Sequence, residues 1–312
     1  MSKALPGYNR PSNHTRSPPN PATLPVTYHL PRTVWLASSP KSGNTWLRVF
    51  LANLLHPELA PVALNRLPLS TPIGSSRVQF DDLLGIPSAL LTPGEIESLR
   101  PAADRELNRT WQEPLLCRKA HDAYSRLPDG RPLLGECPDF AAIYLLRDPW
   151  DVAVSMTNHF DCTLEQAVDN LCNPAFAVAR GGQQLYNQLA QRLLSWEEHA
   201  RSWLGAPLAL HLLRYESMRY DPLPSFRGVV RFLGLAHDDV AIAAALEACR
   251  FERLQQQEQQ QRFRETPKHT RRFFRAGRVG EGLERLSDAA LQRLTAMKAN
   301  VEQAIADRGP PG

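Results

Sequence analysis

A chain of 312 residues, 43% of them hydrophobic, can bury one large α/β core and gives no reason to expect two. Its net charge of +4 suits a small polyanionic ligand, and the lack of a concentrated basic stripe argues against nucleic acid as a partner. Five cysteines (Cys117, Cys137, Cys162, Cys172 and Cys249) form no C-x-x-C pair and no dense framework. That argues against a structural zinc site and a secreted disulfide scaffold, and points to a reducing cytoplasm.

Residues 1–32 carry seven prolines among Ser and Asn and read as a disordered leader. They hold no apolar segment long enough for a signal sequence or a membrane span, so no membrane association is expected. One domain is expected over 33–308. It opens with an apolar strand over Thr33 to Ala37, a small-residue turn, and a helix with apolar positions at Leu47, Phe50, Leu51 and Leu54. Strand, turn and helix are the parts of an anion site, where first-turn amides, the helix dipole and a lysine converge. Against the pattern G-x-x-x-x-G-K-[ST], Thr45 and Gly43 fall in place, while Asn44 takes the lysine position and Ser38 the first glycine. The only lysine, Lys41, comes three residues early and would address a different oxygen of the ligand.

Further strands are predicted at Leu115 to Cys117, Ala142 to Leu146 and Ala209 to Leu213, separated by helical patterns. Short buried strands of this kind form a parallel sheet with helices on both faces and bind ligands at their carboxyl ends. His121, Arg147 and Tyr215 follow the second, third and fourth strands. After the third, Asp148 is placed as an N-cap, Pro149 at the first helical position, and Ser155 two turns along. Arg147 and Ser155 can together hold a phosphate, although an arginine before a helix, taken alone, is more often a structural salt-bridge partner. Gln255 to Gln261, broken by Glu258, reads as a solvated loop, a frayed helix end or a lid. The chain has 31 arginines and five lysines, so Lys41 and Lys119, both at strand ends, suggest a need for compact three-donor charges.

Pro40-Lys41-Ser42-Gly43-Asn44-Thr45-Trp46 after a strand resembles the 5′-phosphosulfate loop of sulfotransferases that use 3′-phosphoadenosine 5′-phosphosulfate (PAPS). The run from Tyr144 to Ser155 is similar to that family's 3′-phosphate motif, in which the arginine and the serine hold the phosphate. Lys119-Ala120-His121 resembles its K-T-H segment, which makes His121 the implied base and leaves Ala120 at a position where Thr is common. Imidazole suits that task because its ordinary pKa lies near neutrality. His159 is the competing candidate, read as packing or pocket wall. Tyr215-Glu216-Ser217-Met218 is similar to Y-E-D-M, whose tyrosine meets the nucleotide. Phe251 falls at an aromatic that, with Trp46, would flank adenine, or else belongs to the core. Phe273 to Gly282 resembles the closing R-K-G loop, with Arg275 and Gly277 toward the 3′-phosphate and Ala276 in place of a lysine.

The resemblance, over roughly residues 33 to 295, implies a single-domain, P-loop-like three-layer α/β fold of the soluble, cytosolic type. It implies sulfuryl transfer from PAPS to a small-molecule hydroxyl, less readily an amine, leaving adenosine 3′,5′-bisphosphate (PAP) and using no metal. His121 would take the proton while Lys41 and Lys119 neutralise charge; Ser42, Gly43, Asn44, Thr45 and Trp46 would bind the donor. A nucleotide kinase and a noncatalytic adenosine-bisphosphate binder are the alternatives; the first should have lysine where Asn44 stands, and the second should have lost the base or the lysines. Residues 56 to 114 and 161 to 195 would build the acceptor pocket without naming the acceptor. No match to the K-x-x-x-T-V-x-x-x-E dimer motif assigns an oligomeric state.

Overall fold

The computed structural model describes residues 33–67, 73–134, 140–180 and 185–309; the expected leader over 1–32 and Cys137 lie outside the described residues. In chain order the elements are β1 (Thr33–Ser38), α1 (Asn44–Leu55), α2 (Arg77–Leu84), α3 (Pro93–Thr110), β2 (Leu116–Ala120), β3 (Phe140–Leu146), α4 (Pro149–Phe160) and α5 (Leu164–Cys172). A two-residue pair follows, β4 (Ala177–Val178) with β5 (Gln191–Arg192), then α6 (Trp196–Leu204), β6 (Ala209–Arg214), α7 (Tyr215–Tyr220), α8 (Pro222–Phe232) and α9 (Asp239–Ala248). The chain ends in α10 (Phe251–Gln260), α11 (Glu281–Arg285) and α12 (Asp288–Arg308). Four strands form one parallel sheet in the order β2-β1-β3-β6, with Ala37 opposite Ala120 and Leu146 opposite Arg214.

The strands read as unbroken apolar runs because both faces of the sheet are covered. Val34 and Leu36 of β1 and Ala141, Ile143 and Leu145 of β3 pack with Phe50, Phe226, Val230 and Ile242 from α1, α8 and α9. Trp35, Ala142, Tyr144 and Leu146 face the other way, onto Val152, Met156, Trp203, Leu294 and Val301 from α4, α6 and α12. The result is the expected three-layer α/β arrangement, each buried Leu, Ile or Phe contributing about 1.5–3 kcal/mol relative to exposure.

The four predicted strands are present with shifted ends. The second begins one residue later than expected and continues to Ala120. Arg118 can lie inside it because its guanidinium is paired with the buried Asp104 and packed 4.7 Å from the Trp35 ring. Asp148 sits at the N-cap position of α4, but its carboxylate makes no bond to the helix amides; it pairs instead with Lys298 Nζ of α12 at 2.5 Å. The glutamine-rich run is a helix end and not a loop, since Gln255–Gln260 form the last six residues of α10 and Gln261 caps it. Gln257 Oε1 accepts from the amide of Leu64, and Gln255 Nε2 donates to the carbonyls of Phe274 and Arg275.

Candidate active site

Strand β1 ends at Ser38, and the turn to α1 contains two residues in the left-handed region, Lys41 (φ 70°) and Gly43 (φ 98°). Glycine is required at 43, since a Cβ there would stand 2.8 Å from the Tyr215 ring. Asn44, in the position of the usual P-loop lysine, turns back into the protein. Its Nδ2 donates to the Leu36 carbonyl at 2.6 Å and to Ser38 Oγ at 3.3 Å, so the side chain staples the turn to the strand. Ser42 Oγ is buried with no hydrogen-bond partner. Lys41 places its ammonium 3.9 Å from the centroid of Phe273. Burial above all, then Lys119 and Arg147, lowers its pKa from 10.5 to about 7.

The turn opens on a cavity of about 770 Å³ at the carboxyl edge of the sheet. Every site residue read from the sequence lines it except Ser42, which is buried within the turn: Lys41, Gly43, Asn44, Thr45, Trp46, Lys119, His121, Arg147, Ser155, Tyr215, Phe251, Arg275 and Gly277. Among the described residues, six cations face it (Lys41, Arg48, Lys119, Arg147, Arg264 and Arg275) against two carboxylates, Glu265 and Glu281. Such a balance favours an anionic ligand.

His121 follows β2. Its Nδ1 lies 2.8 Å from the Ser38 carbonyl, which can only accept, so Nδ1 carries the proton and Nε2 keeps its lone pair. Burial first, then Lys119, pushes its pKa well below 6.5, so the ring is neutral at neutral pH. Its main chain is fixed from behind: His199 Nε2 donates to the His121 carbonyl at 3.1 Å, and Tyr144 Oη hydrogen-bonds to His199 Nδ1 at 2.9 Å. The next residue, Asp122, forms a buried two-pronged pair with Arg100. His159 lines the same cavity between the rings of Phe160 and Phe273, and its pKa falls to about 3 through burial and then Lys41 and Lys119.

Arg147, 8% exposed, leaves the end of β3 and donates through Nη1 to the Lys41 carbonyl and through Nη2 to the Arg278 carbonyl. Its guanidinium stacks 4.2 Å from the Tyr215 ring, and its Nε is buried without a partner. Arg147 thus joins the turn after β1 to the segment that carries Arg278 and still has N–H donors for a ligand. Ser155 lines the cavity from α4. Gly277 (φ 61°) lies so close to Phe251 that a Cβ would meet that ring at 2.8 Å. Arg275 is paired with Glu281 at 2.5 Å, and the Asp151 carboxylate holds the following turn through the amides of Gly280 and Gly282.

Arg48 and Glu265, which pair at 2.6 Å, are cavity residues that the sequence did not indicate. They lie 217 positions apart in chain segments that match no motif, so only the fold brings them together.

A family model described as sulfotransferase domain matches residues 31–299. The chain belongs to the sulfotransferase family and is an enzyme of sulfuryl transfer. It is 26% identical to cytosolic sulfotransferase 14 of Arabidopsis thaliana over 86% of this chain and 74% of that protein. Flavonol 3-sulfotransferase of Flaveria bidentis is 24% identical over 85% of this chain and 80% of its own length. Among solved structures, mouse sulfotransferase SULT7A1 complexed with PAP superposes with a TM-score of 0.54 at 18% identity, covering 86% of this chain and 83% of that one. Retinol dehydratase in complex with retinol and PAP gives 0.51 at 19% identity, over 89% and 81%. Both share the fold of this chain.

Proposed function

We propose that the protein moves a sulfuryl group from PAPS to a hydroxyl of a small neutral molecule, in preference to an amine, with His121 as base and Lys41 and Lys119 as the charge-bearing groups. The cavity suits the donor: it is cationic, its glycines at 43 and 277 leave no room for a Cβ, and the Nε of Arg147, which lines it, lacks a protein partner. Lys41, Ser42, Asn44, Thr45 and the mouth of α1 would hold the phosphosulfate end. Arg147, Ser155, Arg275 and Gly277 would hold the 3′-phosphate, and Trp46, Phe251 and Tyr215 the nucleoside. PAPS, when bound, supplies the sulfuryl group. His121 Nε2 takes the acceptor's proton, and the two ammoniums hold positive charge where negative charge grows, an arrangement that favours the transition state over the ground state.

The acceptor would lie against Leu67, Ile73, Phe160, Val178, Tyr186 and Gln191, an apolar wall with neutral polar groups. A small hydroxylated acceptor accords with two of the similar proteins, one named for a flavonol and one bound to retinol. A cytoplasmic location belongs to the same reading. It is supported by the relatives named cytosolic, by the free Cys117, Cys162, Cys172 and Cys249, and by the lack of any described helix long and apolar enough to cross a membrane.

The single observation carrying the reading is the contact of His121 Nδ1 with the Ser38 carbonyl, which leaves Nε2 as the unprotonated nitrogen of a ring that also lines a cavity holding two lysines. His121→Ala is expected to lower turnover by roughly a hundred- to ten-thousandfold with little change in PAP affinity by calorimetry. The acidic limb of the parent's pH profile should lie below pH 6.5 and disappear in the variant. Full activity in His121→Ala with loss in His159→Ala would move the base to α4.

A further inference from the structure

Of the two carboxylates that line the cavity among the described residues, Glu265 pairs with two of its cations. Glu265, in the segment between α10 and α11, accepts from Arg48 Nη1 through Oε1 at 2.6 Å and from Lys119 Nζ through Oε2 at 2.9 Å. Arg48 comes from α1 and Lys119 from the end of β2, so the contact joins three separated parts of the chain. All three side chains line the cavity, with 11%, 15% and 32% of their surface exposed for Arg48, Lys119 and Glu265.

A carboxylate there works against a polyanionic ligand, so its presence calls for a reason beyond fastening the segment. The segment has its own anchor. Glu258 of α10 accepts from the amides of Phe273 and Phe274 and from Thr266 Oγ1, at 2.6, 3.0 and 3.0 Å. Glu265 is therefore free for another task, and its partners state which. Arg48 fixes the plane of the carboxylate from one side, and the other oxygen takes one of the three Lys119 N–H donors and leaves two for a ligand.

We propose that Glu265, braced by Arg48, is a positioning residue for Lys119, holding its ammonium in place at the reacting end of the cavity. The proposal rests on the reading of Lys119 as a charge-bearing group. Protonation is the second consequence. The groups that face Lys119 are Glu265, Arg48 of α1, Lys41 of the turn, His121 beside it, and His159 of α4. Burial lowers the Lys119 pKa most, and Glu265 is the group that raises it. For its part Glu265, which burial alone would raise, is drawn far below the usual carboxylate range by Lys119 and Arg48 and stays ionised. Removing its charge should let Lys119 lose its proton at lower pH.

The test is Glu265→Gln, which keeps the size of the side chain, removes its charge and leaves one acceptor oxygen where Arg48 and Lys119 use two. Turnover is expected to fall by about tenfold or more, the alkaline limb of the kcat profile to move to lower pH, and KM for PAPS to hold or fall. In a Lys119→Ala background the same substitution should cost no more than about twofold, because the group it serves is gone. An unmoved limb with kcat within roughly threefold of the parent would overturn the proposal. So would a loss of equal size with and without Lys119, or loss of the cooperative thermal transition in Glu265→Gln, either of which would make the residue structural. Near-full turnover in Lys119→Ala would instead defeat the underlying assignment of the lysine. A large loss in Lys119→Ala beside none in Glu265→Gln would defeat the positioning role alone.

Discussion

Lys41 combines two departures that bear on one function: a left-handed backbone in a residue with a Cβ, and an ammonium with a pKa of about 7. The backbone aims the side chain into the cavity, and burial with Lys119 and Arg147 makes the charge hard to keep while no anion is near. A pKa of about 7 would leave Lys41 mostly neutral at pH 8 in the free protein, and a phosphate bound beside it would restore the proton. PAP binding should take up protons at pH 8, and affinity should weaken above pH 7 by up to about tenfold per unit for one coupled proton. Calorimetry in two buffers of different ionisation enthalpy measures the uptake, which Lys41→Ala should reduce. Alanine adds no backbone strain, since lysine already places a Cβ at that φ. Turnover in Lys41→Ala should drop on the order of a hundredfold, and a folded variant with unchanged uptake and turnover would remove the lysine from the chemistry.

At the scale of elements, α10 fastens one wall of the cavity. Its Glu258 is buried and gathers three donors from the segment that carries Glu265 and Phe273. Glu258→Gln turns an N–H2 toward those donors, at a cost of about 1.5–3 kcal/mol for a charged acceptor lost. The melting temperature should fall by several degrees and PAP affinity should fall with it; a melt unchanged from the parent would mean that the segment is held elsewhere. This helix was also hard to read in the sequence. Its apolar anchor is the single buried Leu254, and its order comes from glutamine side chains bonded to loop backbone, which leaves no hydrophobic period to read. The strands were legible because burial on both faces writes itself as an unbroken apolar run, and the exception confirms the cause: β2 was cut short where Arg118 and Lys119 interrupt the run. The turn, the two lysines, His121 and Arg147 could be read because each is local to a strand end. The bracing of Lys119 could not, because Arg48 and Glu265 meet only across the fold.

For the molecule as a whole, the cavity draws on residues from Pro40 to Glu281, so a bound nucleotide ties the amino-terminal turn to the carboxyl-terminal segment. The strand ends are also tied from outside by α12, through Lys298 to Asp148 and Glu302 to Arg214. Ligand binding should therefore stabilise the entire fold, by about 2.7 kcal/mol at a concentration a hundred times Kd. Arg147 lets the two contributions be separated, because it is both a clamp and a candidate phosphate donor. Its bonds to the Lys41 and Arg278 carbonyls belong to the unliganded protein, so Arg147→Ala should lower the baseline melting temperature whatever nucleotide is added. Its remaining donors are assigned to the 3′-phosphate, so the variant should lose a further 1.5–3 kcal/mol or so of affinity for PAP while binding of adenosine 5′-phosphate changes little beyond that baseline. Melts of parent and variant with each nucleotide separate the two effects. A thermal shift lost equally for both nucleotides would make Arg147 a structural clamp and place recognition of the 3′-phosphate on Ser155, Arg275 and the turn at Gly277.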